Sequence, residues 1–110
     1  MSATIESYRT LSERLDSSKL RKCADMLKAI AHPIRMSILD LLDDGRRLTV
    51  TEIYERLELE QAVASHHLGI LRDKGLVVGD REGKNTYYSL CQAEVTKVIQ
   101  CIERCNTQMP

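Results

Sequence analysis

Two residue types stand out for reactive chemistry: the cysteines Cys23, Cys91, Cys101 and Cys105, and the histidines His32, His66 and His67. Thiolates bind soft metal and metalloid ions and form disulfides on oxidation. Cys101 and Cys105 are four apart, which makes them neighbours on one face of a helix. No C-x-x-C pair occurs, so the spacing of a structural zinc knuckle is missing. His66 and His67 are adjacent, and adjacent helical residues point about 100° apart, which disfavours chelation of one ion by both. The bland alternative makes the cysteines small packed hydrophobes. Cys91, Val95, Val98, Ile102 and Cys105 follow a four-three-four-three seam, and Cys23 shares a stripe with Leu20 and Leu27.

A second constellation lies between Gln61 and Lys74. At helical spacing Ala64, Leu68 and Leu71 mark a buried side, and Gln61, Ala62, Ser65, His66, Gly69 and Arg72 fall opposite. A DNA major groove accepts such a face: hydrogen-bonding side chains for base edges, and small residues for close approach. Gln61 suits an adenine edge, Ser65 and His66 reach bases or phosphates, and Arg72 suits a backbone phosphate. His67 lies toward the core edge beside Val63 and Ile70, as a packed or phosphate-anchoring residue. The competing reading is an ordinary solvated helix face. Arg81 and Lys84, at a hairpin tip, would reach phosphate or the minor groove, with Asp80 and Glu82 diluting their charge.

These side chains need elements to hold them. Ile5, Tyr8, Leu11 and Leu15 suggest a short N-terminal helix, so residues 1–18 read as an extension and 19–110 as the domain. Asp16, Ser17 and Ser18 offer cap oxygens to a second helix carrying Leu20, Cys23, Leu27 and Ile30. His32-Pro33 ends it and opens a third, with Ile34, Ile38, Leu41 and Leu42 at helical spacing. Asp43-Asp44-Gly45 stops that helix. Leu48–Val50 forms a short strand, and Thr51 caps a brief helix over Glu52–Leu57. After the helix Gln61–Lys74 and a Gly75 cap, Leu76–Arg81 and Asn85–Leu90 read as strands joined by Glu82-Gly83-Lys84. A last helix covers Gln92–Asn106. The expected class is mainly α with a small β-hairpin, ordered as a winged helix-turn-helix.

At 110 residues the chain is one domain. Its 43% apolar and 29% charged residues suit a soluble globular protein, and with no Trp or Phe the core must be aliphatic. No apolar run approaches the roughly 20 residues of a membrane span, and Met1–Thr10 lacks a secretion signal, so a cytoplasmic protein without structural disulfides is expected. Net charge is zero, whereas binders of nucleic acid are usually basic. From Glu60 to Leu90, Arg72, Lys74, Arg81 and Lys84 are cancelled by Glu60, Asp73, Asp80 and Glu82, which predicts modest affinity and a shallow salt slope. No Gly-rich phosphate loop, catalytic carboxylate pair or nucleophile-base motif is visible, so an enzyme is not expected.

Three blocks resemble the ArsR/SmtB family of winged-helix repressors: LKAIAHPIRMSILDLL (Leu27–Leu42), AVASHHLGILRDKGLV (Ala62–Val77) and GKNTYYSL (Gly83–Leu90). They stand in the family's order and cover about residues 19–106. The resemblance implies a homodimer joined by its first and last helices, here through Leu20, Val95, Val98 and Ile102. It also implies a palindromic double-stranded operator, bound without inducer and released when a metal, metalloid or oxidant arrives. The family's sensing sites are not reproduced. The first helix of the reading motif has no Cys-x-Cys pair. Its zinc-type positions here are Gln92, Glu94, Cys105 and Gln108, and Met36–Leu42 lacks the cysteine of the redox type. Cys23, Cys101 and Cys105 remain, and in the family fold they would converge at the interface. There they could hold As(III) or another soft metal ion, or respond to oxidant or sulfur species. No cofactor is otherwise required.

In one place the chain departs from the family pattern. Glu58-Leu59-Glu60 stands where the family has a Gly and then a Ser-like cap. Two carboxylates there favour the helix dipole but repel phosphate. They are also the main support for an alternative function, a winged-helix protein-interaction module without DNA binding.

Overall fold

The structure is a computed structural model and describes residues 9–108. Within it α1 covers Leu11–Arg14, α2 Ser17–Ile30 and α3 Pro33–Leu41, followed by β1 at Leu48–Thr49. Then come α4 (Val50–Arg56), α5 (Gln61–Asp73), β2 (Val77–Glu82), β3 (Asn85–Leu90) and α6 (Glu94–Gln108). Ile5 and Tyr8 of the expected N-terminal stripe lie outside the described residues.

Local chemistry sets most of the boundaries. Thr10 and Glu13 form a capping box on α1, and the Asp16 side chain accepts from the Lys19 N–H to start α2. His32 is extended, and its Nδ1 accepts the Ile34 N–H at 3.2 Å, so the residue that precedes Pro33 also caps α3. The start of α4 corrects the sequence reading. Thr49, not Thr51, is the cap, because Glu52 three residues on completes a capping box with it. Thr51 is followed at that distance by Tyr54, which has no carboxylate to return the bond.

The core is aliphatic, as the composition requires. Ile38, Leu39 and Leu42 of α3 and its end pack with Ile53, Leu68, Leu71, Leu76 and Val77, all fully buried. Each such side chain contributes roughly 1.5–3 kcal/mol of burial. The sheet has strand order β1-β3-β2, entirely antiparallel, with Leu48 opposite Tyr88 and Val77 opposite Leu90. The β2–β3 hairpin closes on two residues, Gly83 and Lys84, because Glu82 pairs with Asn85 inside the ladder. Gly83 takes φ +62, a conformation open to glycine at no steric cost.

The last helix presents two faces. Thr96 and Ile99 are buried against the domain. The Thr96 hydroxyl donates to Asp43 Oδ1 at 2.8 Å, and Gln100 Nε2 donates to Asp43 Oδ2 at 3.4 Å. Val98 and Ile102, on another face, stay 41% and 58% exposed.

Candidate nucleic-acid interface

The helix α5 is divided as its sequence pattern predicts. Ala64, Leu68 and Leu71 are buried, whereas Gln61, Ala62, Ser65, His66 and Arg72 are exposed. Gly69 has open space where a Cβ would stand, so this face is free of bulk along its middle turn. A groove-reading helix needs this combination of polar tips and low relief.

The turn between α4 and α5 carries the mark of the unusual Glu58-Leu59-Glu60. Glu58 has φ +53, a left-handed conformation that suits glycine and costs another residue about 1–2 kcal/mol. Glu60 occupies the cap position of α5 but makes no side-chain capping bond. Of the two carboxylates, Glu58 thus marks the backbone, while Glu60 leaves α5 without a side-chain cap.

All three histidines gather at one junction. His32 and His67 have ring centroids 4.5 Å apart, and His66 and His67 5.2 Å. His67 is 8% exposed, and its Nδ1 is buried without a hydrogen-bond partner among the described residues, as is Nε of Arg35. Burial pushes the His67 pKa below the ordinary imidazole value, with His32, Arg35 and His66 adding like-charge repulsion. His67 is therefore a packed residue that seats α5 on α3, while its neighbour His66 points to solvent.

In the hairpin, Arg81 and Lys84 are exposed at the tip, and Arg81 Nε donates to the Gly83 carbonyl at 3.4 Å. The sequence reading set Asp80 and Glu82 against them and missed Arg47. That guanidinium bonds Asp80 at 2.9 Å and Glu82 at 3.0 Å, and lies over the Tyr87 ring. The carboxylate bond to Glu82 leads in holding the Arg47 pKa above its ordinary value.

The expected place of the cysteines and the seam is a contact between two copies. All four cysteines are exposed in the single chain, so packing within it does not account for them. Cys23 lines an open apolar trough of about 360 Å³ between α2 and α6, with Met26, Leu27, Ile30, Val95 and Val98 among its walls. Cys101 and Cys105 lie further along α6, outside that trough. One chain therefore does not bring the three thiols together. Among the described residues no group of three or more His, Cys, Asp or Glu is placed to hold a metal ion. Of the expected seam, Leu20 and Val95 are half-buried, Val95 against the core, and Val98 and Ile102 are open. No helix among the described residues is long and apolar enough to cross a membrane.

Comparison with known proteins agrees with this architecture. A family model described as a helix-turn-helix domain matches residues 30–80. The HTH-type transcriptional regulator NmtR of Mycobacterium tuberculosis is 40% identical over 95 residues, 86% of this chain and 78% of NmtR. Reduced HlyU from Vibrio cholerae superposes with a TM-score of 0.71 at 37% identity, covering 89% of this chain and 100% of that one. A homodimeric winged helix-turn-helix DNA-binding domain from Mycobacterium bovis gives a TM-score of 0.74 at 27% identity, covering 92% and 90%. Helix order, sheet and open reading helix define a winged helix-turn-helix transcription regulator. The chain belongs to the ArsR/SmtB family of these DNA-binding regulators.

Proposed function

We propose that the chain is a repressor that binds a palindromic operator as a homodimer and leaves it when an inducer reacts with cysteines. The observation that carries the reading is the open half of α5. Gln61, Ser65 and His66 project from a helix whose opposite side is fixed in the core. They are assigned to base edges, and Arg72, Arg81 and Lys84 to phosphates.

The homodimer is supported by apolar surface that one small domain leaves open. Leu27 is 56% exposed beside the trough, and Val98 and Ile102 continue the surface along α6. A two-fold axis through α2 and α6 would cover Leu20, Val95, Val98 and Ile102 and demand a two-fold operator. The homodimeric Mycobacterium bovis domain offers a precedent of the same fold.

Inducer sensing is assigned to Cys23, Cys101 and Cys105, exposed thiols on the two helices that meet at this axis. A second copy would supply the proximity that one chain lacks. As(III), another soft ion, or an oxidant or sulfur species fits thiol chemistry. The test is fluorescence anisotropy of reduced protein on duplex from upstream of its own gene, titrated with arsenite and, separately, with a sulfane-sulfur oxidant. Tight binding reversed by one agent, and not in Cys→Ser variants, is expected. Binding that neither agent disturbs would remove the thiol switch. Failure to bind any duplex would leave the protein-interaction module instead.

A further inference from the structure

Arg47 stands at the entrance to β1, far in sequence from the hairpin it grips. Its Nη2 donates to Asp80 Oδ2 at 2.9 Å and to Glu82 Oε1 at 3.0 Å. Its guanidinium carbon lies 5.0 Å from the centroid of the Tyr87 ring. Asp80 and Glu82 are two apart on β2 and so share one face of the hairpin, and Asp80 pairs directly with Tyr87 on β3. One cation therefore spans two carboxylates while lying over the ring of Asp80's cross-strand partner. Arg81, between the two acids, falls on the opposite face of the strand.

We infer that Arg47 is a positioning residue for DNA binding that acts through the wing carboxylates, neutralising Asp80 and Glu82 so that Arg81 and Lys84 meet phosphate without their repulsion. The inference rests on the DNA-reading assignment above. Counting Arg47, the hairpin cluster carries one more cation than anion; without it the charges cancel. A phosphate bound by Arg81 or Lys84 would stand within the Debye length of about 8–10 Å of these groups and so feel that difference at physiological salt. Exposed ion pairs add little to folding. The loss of Arg47 therefore falls on polyanion binding and leaves the fold in place.

The test compares wild type, Arg47→Ala, and Arg47→Ala combined with Asp80→Asn and Glu82→Gln, on upstream duplex across a salt series. Thermal melting runs in parallel. Arg47→Ala is expected to weaken binding about fivefold at low salt, with the deficit shrinking as salt rises. The triple variant is expected to return at least to wild-type affinity, because the unpaired carboxylates are gone. Wild-type affinity in Arg47→Ala would overturn the proposal. So would a triple variant that stays weak, since the loss would then come from a direct Arg47–DNA contact or a collapsed hairpin. A wild-type protein that binds no duplex overturns the DNA reading itself, an outcome distinct from a loss confined to the variant.

Discussion

His32 and His67 hold their rings 4.5 Å apart at a tilt of 45°, so the residue that caps α3 also presses on the buried side of α5. The reading helix is thus seated on an imidazole that the protein keeps away from water. That contact has a pH signature.

Because burial lowers the His67 pKa, the unfolded chain takes up a proton there before the folded chain does. The stability tied to neutral His67 is complete above the unfolded value of about 6.5 and is lost as pH falls below it toward the depressed folded value. Urea unfolding at about pH 7.5 and about pH 5.5 should show the lower midpoint at the acid value. His67→Gln should narrow the difference; an equal difference in the variant would assign the effect to other groups.

Glu58 holds a left-handed backbone. Glu58→Gly should remove a strain of about 1–2 kcal/mol, offset in part by the unfolded-state entropy that glycine adds, about 0.4–1 kcal/mol. A rise in denaturation midpoint equivalent to roughly 0.5–1 kcal/mol is expected. A fall would mean that the Glu58 side chain makes a stabilising interaction of its own.

Thr49→Ala should cost about 1 kcal/mol, within a range of about 0.5–2, by removing the hydroxyl that accepts the Glu52 N–H in the capping box. Thr51→Ala should stay within about 0.5 kcal/mol of wild type. Equal losses in chemical denaturation would return Thr51 to the role of cap.

The Thr49 shift illustrates what a sequence can and cannot convey here. The stripe Ala64, Leu68 and Leu71 fixes α5 and its open face, because helical periodicity is written in neighbouring residues. His32-Pro33 fixes the α2–α3 break for the same local reason. The Arg47 grip on Asp80 and Glu82 spans 33 and 35 residues, and no local pattern announces it. The seam is legible in part: the spacing marks Val98 and Ile102 as apolar. Which face of α6 its own domain takes, through Thr96 and Ile99, depends on where Asp43 ends up in space.

Val98→Glu or Ile102→Glu should yield monomers, because each places a charge in the apolar surface assigned to the two-fold contact. Sedimentation velocity checks this, with circular dichroism confirming that the variants remain folded. An unchanged dimer would move the interface elsewhere.

His66→Ala should weaken operator binding more than Lys84→Ala does, by about 1–3 kcal/mol if His66 meets a base edge. Lys84→Ala should weaken operator and random duplex alike and reduce the salt slope by about one unit. Equal losses on both duplexes for His66→Ala would reassign it to phosphate.

The bond from Thr96 to Asp43 lets two distant jobs share one hinge pin. Asp43 heads the turn that leads through Arg47 into β1, and Thr96 sits on the helix assigned to the partner contact. A tilt of α6 away from its domain breaks the 2.8 Å bond to Asp43 and leaves the Thr96 hydroxyl only the Ala93 carbonyl at 3.0 Å. Motion of α6 is therefore passed to the turn before β1, the strand that pairs with β3 of the hairpin. The helix assigned to assembly and the approach to the wing sheet thus share one side-chain anchor.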